Sequence, residues 1–195
     1  MAREIIFATN NAHKLEEVSA ILGDAFRLVT LRECGITEDI PEEQPTIEGN
    51  ALQKARYVHE RTGADCFADD TGLEVAALDG APGVHSARYA TADGHDSEAN
   101  MKLLLKNMDG VSDRRARFRT VIALILDGRE HTFEGIVEGV ITESPSGMGG
   151  FGYDPVFVPD GYSETFAEMS PECKNAISHR AKAVRCFAEF MKDIR

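Results

Sequence analysis

The sequence predicts an α/β fold, and three stretches carry the prediction. Near the N-terminus an apolar run, Glu4 to Thr9, leads into a polar turn and then into apolar residues at helical spacing. A second strand and helix follow. The short apolar run Cys66-Phe67-Ala68 then ends in two adjacent carboxylates, Asp69 and Asp70, followed by Thr71 and Gly72. Such a strand end reads as the rim of an α/β sheet, where sites tend to form.

Composition bounds the reading. A chain of 195 residues is one domain, or one domain with a lobe, and it buries a real core. The net charge of −12 argues against a general nucleic-acid surface or an anionic-membrane surface. It leaves room for one small anionic ligand held by a local cluster of Lys and Arg. No apolar run approaches the ~18 residues of a membrane span, and Met1-Ala2-Arg3-Glu4 does not open a signal peptide. The expectation is a cytoplasmic protein. Cys34, Cys66, Cys173 and Cys186 form no CxxC pair and read as free thiols.

Taken in order, Leu15, Val18, Ile21 and Leu22 make the first helix, which Gly23 ends. Thr9, Asn10 and Asn11 fall at its N-terminus, a natural anion site, with Lys14 one turn in. The same residues also read as plain N-capping. Arg27 to Leu31 is the second strand. Arg32 to Pro45 is an acidic loop containing Pro41-Glu42-Glu43-Gln44-Pro45. Thr46 caps a helix from Ile47 to about Arg61, on which Asn50 and Lys54 point the same way, and Gly63 ends it.

Asp69 and Asp70 repel each other unless a cation or a proton sits between them, and oxygen ligands suit a hard ion such as Mg²⁺. The alternative is a solvated Asp-Asp turn. After a turn at Gly72, Leu73 to Leu78 reads as a further strand. Asp96 or Ser97 starts a helix with Met101, Leu104, Leu105 and Met108 on its buried face. Ala116 to Leu126 and Glu130 to Thr142 flank the hairpin turn Asp127-Gly128, a ribbon expected to build a second lobe.

Gly147-Met-Gly-Gly-Phe-Gly152 fits GxGxxG by letter. It is no dinucleotide fingerprint, because Tyr153-Asp154-Pro155 blocks the helix that motif must open. Glycines around one aromatic let backbone approach a flat ligand on which Phe151 stacks, or simply bury Phe151 in a loop. Val156 to Val158 is a short strand. Ser170-Pro171-Glu172 starts a helix carrying Lys174. Ser178 starts another, with Ala181, Val184, Phe187, Ala188, Met191 and Ile194 on one face and His179-Arg180 at its N-terminus.

Together these stretches resemble the inosine triphosphatase (Ham1-like) family of non-canonical purine NTP pyrophosphatases. The motifs run from Ala8 to Lys14, Glu48 to Arg56, Ala68 to Leu73, Gly80 to Tyr89, Gly149 to Pro155, and Ile177 to Arg180, all in family order. The resemblance implies a long mixed α/β sheet flanked by helices, in two lobes with a central cleft. It implies one domain over 1–195, with a hairpin-containing second lobe over about 73–145, and a homodimer. It implies Mg²⁺-dependent cleavage of ITP, dITP or XTP to the monophosphate and pyrophosphate, with no nucleic-acid or membrane partner.

Residue by residue, Asp70 matches the family's catalytic carboxylate and, with Glu42, its metal ligands. The loop reads Pro-Glu-Glu-Gln without the family's usual Glu-Thr-Gly, which keeps Glu43 open as a substitute. Thr9, Asn10, Asn11, Ala12, His13 and Lys14 match the triphosphate turn, with Thr71 beside the metal. Phe151, Gly152, Tyr153, Asp154, Lys174, His179 and Arg180 match the base pocket. An aspartyl-phosphate phosphatase wants two aspartates separated by one residue, which adjacent Asp69 and Asp70 are not. A nucleotide sensor has no need of the two metal carboxylates, and a Maf-like pyrophosphatase should lack the FGYD and SHR stretches.

Overall fold

The structure is a computed structural model that describes residues 3–91 and 94–193. Ile194 of the expected terminal helix lies outside the described residues. Strand β1 (Arg3–Phe7) leads into helix α1 (Ala12–Leu22), then β2 (Phe26–Val29) and helix α2 (Ile47–Thr62). Strand β3 (Cys66–Val75), the two-residue β4 (Pro82–Gly83) and helix α3 (Ser97–Asn107) follow. The long strands β5 (Arg115–Leu126) and β6 (Arg129–Ile141) form the hairpin. Strand β7 (Phe157–Pro159) and helices α4 (Pro171–Ile177) and α5 (His179–Asp193) close the described chain.

The strands make one mixed sheet in the order β2-β1-β3-β5-β6-β7, with β4 paired to β3. β1 pairs in parallel with β2 and β3, whereas β3–β4 and β6–β7 are antiparallel. The predicted helix starts are present as caps. Asn11, Thr46, Asp96 and Ser170 each accept a backbone N–H from the first turn that follows, which satisfies donors a helix otherwise leaves orphaned.

One sequence expectation needs correction. No turn interrupts the chain at Gly72: β3 is one ten-residue strand running through Asp69, Asp70 and Gly72 to Val75. Asp-Asp-Thr-Gly reads as a turn because such residues usually leave a sheet, but here basic side chains compensate the buried carboxylates. The hairpin strands β5 and β6 are part of the main sheet, between β3 and β7, and not a ribbon set apart from it. Their turn residues Asp127 and Gly128 both have positive φ, the geometry that suits a two-residue connection between right-twisted strands.

By chain contacts the protein divides into two compact units. One comprises Met1–Asp70, Thr120–Gly135 and Arg180–Arg195; the other comprises Thr71–Arg119 and Ile136–His179. The core of the first unit gathers Ile5, Phe7, Val18, Phe67, Ile122, Leu124, Val184 and Phe187. Phe67 is its centre: Phe7 stacks on it at 4.5 Å between centroids, and Phe187 at 4.9 Å. In the second unit Leu73, Val75, Leu104, Met108, Phe118, Val137, Phe157 and Phe166 pack together. Among the described residues no helix is long and apolar enough to cross a membrane.

Candidate active site

The first unit concentrates buried charge at the carboxyl end of β1. That strand stops at Phe7, paired with Phe67, while β3 runs on with Asp69 and Asp70. The carboxylates thus lie past the end of their parallel neighbour, although their own strand continues. Successive strand residues point to opposite faces, and the two aspartates meet different partners.

Asp69 is 2 % exposed. Its Oδ1 accepts a hydrogen bond from Lys14 Nζ at 3.0 Å, and its Oδ2 one from Arg180 Nε at 3.3 Å. Arg180, only 1 % exposed, donates through Nη1 to Glu17. Burial alone would raise the Asp69 pKa, but Lys14 and Arg180 outweigh it and hold the carboxyl well below the usual range. Burial pulls the Lys14 ammonium below its ordinary pKa, against the opposing pull of Asp69.

Asp70 meets Lys54. The Lys54 ammonium lies 3.4 Å from Asp70 Oδ1 and 2.6 Å from Glu42 Oε1, so one cation serves two carboxylates. Asp70 Oδ2 is buried and has no hydrogen-bond partner among the described residues. Burial raises the Asp70 pKa despite the opposing Lys54 and Lys14 charges. The two adjacent carboxyls thus lie in environments that drive their pKa values in opposite directions.

The loop that carries Glu42 is held by α2. Gln53 Oε1 accepts from Glu43 N–H at 3.0 Å, and Asn50 Oδ1 accepts from Gln44 N–H at 2.8 Å. These bonds turn Glu42 toward Lys54 and leave Glu43 exposed. Glu42 and the unsatisfied oxygen of Asp70 are hard donors suited to Mg²⁺, which commonly takes only one or two protein carboxylates and fills its remaining positions with water and phosphate oxygens. Among the described residues no group of three His, Cys, Asp or Glu gathers as a ready-made metal cage.

The turn before α1 is built for backbone donors. Thr9 Oγ1 accepts from Asn11 N–H at 3.1 Å, and Asn11 Oδ1 accepts from Lys14 N–H at 3.1 Å. Asn10, Asn11, Ala12 and His13 are exposed there, and Thr9 is half-buried. Thr71, also half-buried, follows Asp70 on β3.

The second unit holds the other predicted residues. Asp154 Oδ2 accepts from Phe151 N–H at 2.9 Å and from Lys174 Nζ at 2.7 Å. The same ammonium lies 5.0 Å from the centroid of the Phe151 ring. Gly150 has φ +67°, and a Cβ there would sit 2.1 Å from Asp154 Oδ2. Glycine is therefore what lets the carboxylate cap the loop. His179 stacks on Phe118 at 4.6 Å between centroids. Gly152 turns the chain with φ +63°. Tyr153 is buried and donates its hydroxyl to Ser86 O at 2.7 Å, which anchors the loop.

The structure therefore brings Lys14 and Arg180 to Asp69, Glu42 to Asp70 through Lys54, and Phe151, Asp154 and Lys174 to one another. Sequence reasoning left Lys54, Asp69, Glu17 and Asn50 out of the site. For Asn50 and Lys54 a signal existed. Ile47, Asn50, Ala51, Lys54, Ala55 and Val58 form the buried stripe of α2, so two polar residues interrupt an apolar face. Asp69 could be noticed only as the neighbour of Asp70, and Glu17 carried no signal.

Known proteins match the chain over nearly its whole length. Residues 5–190 match the model of the Ham1 family. A Porphyromonas gingivalis protein named dITP/XTP pyrophosphatase is 56% identical over 189 residues, covering 96% of this chain and 97% of that one. A Flavobacterium psychrophilum protein of the same name is 48% identical, with 97% and 100% covered. Among solved structures, a Ham1 protein from Coxiella burnetii matches with a TM-score of 0.90 at 36% identity, covering 98% of this chain and 99% of that one.

Proposed function

The chain belongs to the Ham1 family, and from that premise we propose that it hydrolyses nucleoside triphosphates of 6-oxo purines (ITP, dITP and XTP) between the α and β phosphates. The products are the nucleoside monophosphate and pyrophosphate. The observation that carries the reading is the pair of adjacent carboxylates with opposed environments: Asp69 locked in ion pairs, and Asp70 buried with one oxygen unsatisfied.

In this reading the α1 N-terminus and Lys14 take the phosphate chain. Backbone N–H groups and a nearby ammonium suit an anion there. Asp70 and Glu42 would hold Mg²⁺, and that ion would supply charge neutralisation for the phosphates and Lewis acidity for the attacking water. Asp70, buried with one oxygen unsatisfied, helps activate the attacking water. Lys54 balances the two carboxylates before substrate arrives and keeps a positive charge beside the phosphates. Transfer of this kind needs positioning and charge neutralisation more than covalent chemistry.

Phe151 stacks on the base, and Lys174, held by Asp154, fixes the loop beneath it. His179 and Arg180 donate to the 6-oxo group. Adenine offers an amino donor at that position, so donor would face donor, and such a mismatch rejects an analogue by roughly 10⁴-fold. The reading also includes Mg²⁺ as the preferred metal, a homodimer, a cytoplasmic setting, and one domain over 1–195 whose second lobe spans about 73–145.

The test is product analysis with ITP and with ATP, each with and without Mg²⁺. IMP and pyrophosphate from ITP alone, only with metal, is the expected result. Release of inorganic phosphate, or equal use of ATP, overturns the cleavage site or the base assignment.

A further inference from the structure

Asp69 has no place in the chemistry described above, yet both of its oxygens are committed to cations. It sits on β3, and its two oxygens divide between two helices. Oδ1 takes the ammonium of Lys14 in the first turn of α1, and Oδ2 takes the guanidinium of Arg180 in the first turn of α5. Side-chain exposure is 2 % for Asp69, 2 % for Arg180 and 14 % for Lys14, so solvent screens these contacts little. Long cationic side chains carry large rotamer freedom, and a ligand binds them best where that freedom is already lost.

We propose that Asp69 is a positioning residue that acts through Lys14 and Arg180 at once, fixing with one carboxylate the cation that meets the phosphates and the cation that meets the base. This rests on the nucleotide reading given above. It differs from a merely structural ion pair in what it predicts. A structural pair affects stability, whereas a shared pivot links two separable properties of the reaction, the grip on pyrophosphate and the preference for a 6-oxo base. Glu17 adds a second restraint to the Arg180 branch through its own contact with that guanidinium. On the Lys14 branch, Asp69 is the carboxylate that holds the ammonium.

The test is a double-mutant cycle on the full-length protein. Its readouts are the inhibition constant for inorganic pyrophosphate and the ITP:ATP ratio of kcat/KM. Asp69→Asn should raise the pyrophosphate constant about tenfold and lower the ITP:ATP ratio about tenfold, as expected for about 1.4 kcal/mol at each end. In a Lys14→Met background, adding Asp69→Asn should leave the pyrophosphate constant unchanged but still lower the ITP:ATP ratio. This second comparison removes one positive and one negative charge together, so it stays informative if Asp69→Asn alone does not fold. A folded variant with both readouts as in wild type, or equal pyrophosphate losses in the two backgrounds, overturns the proposal. Failure of the nucleotide reading is distinguishable, because wild-type protein would then fail to release pyrophosphate from ITP before any variant is made.

Discussion

Asp69 and Asp70 are chain neighbours, but alternation along a strand gives them opposite surroundings, and the surroundings decide the chemistry. On the proposed reading, Asp70→Asn removes the group that activates water and one carboxylate metal donor while keeping the shape. Turnover should fall by about 10² to 10⁴, the usual contribution of a general base. Nucleotide affinity measured by calorimetry should persist; undiminished turnover would exclude Asp70. Phe151→Ala should act differently, raising KM about five- to hundredfold for a lost stack of about 1–3 kcal/mol. The carboxylates were legible because a polar pair after an apolar run is unusual. Their partners were less so. Lys14 precedes Asp69 by 55 positions, and Arg180 follows it by 111, distances at which only the fold itself pairs residues.

At the scale of elements, caps and periodicity read well, and strand ends read poorly. Thr46, Asn11 and Ser170 stood out as helix starts because their side chains supply an acceptor the backbone lacks. Thr46→Ala should therefore cost about 1 kcal/mol in denaturant unfolding. The continuity of β3 was illegible, since nothing local announces that Asp-Asp-Thr-Gly stays extended. The opening of that strand offers a pH test. Cys66 is buried and donates to Ala55 O at 3.2 Å. Burial pushes its thiol from about 9 up to about 12. Above about pH 9 the unfolded chain releases a proton that the folded chain keeps, so stability falls as pH rises, by at most ~1.4 kcal/mol per pH unit. Cys66→Ala should lose that part of the alkaline slope. Identical slopes in melts from about pH 8 to about pH 10.5 would show that another group sets it.

For the molecule as a whole, the α/β class and the mixed character of the sheet were legible from the alternation of strands and helices and from the family resemblance. The position of the hairpin was not. A two-residue turn fixes how β5 meets β6 but not which other strands they join. The core of the first unit depends on α5 returning Phe187 to Phe67. Phe187→Ala should thus destabilise by about 3–5 kcal/mol. Loss below about 1 kcal/mol would mean that the ring stack contributes little. Ligand linkage gives a global readout of the metal site. With Glu42 and Asp70 as its proposed donors, Mg²⁺ alone should raise Tm little, whereas Mg²⁺ with a non-hydrolysable ITP analogue should raise it several degrees.

Met148 stands fully in solvent between Gly147 and Gly149, on the same loop as Phe151. The chain thereby carries its own spectroscopic probe. A methyl group that touches nothing tumbles fast and gives a narrow resonance, while those of buried Met108, Met169 and Met191 are spread by neighbouring rings and packing. Methyl-labelled protein would report the arrival of a base at Phe151 as a shift or broadening of one sharp line, with no tag, dye or mutation.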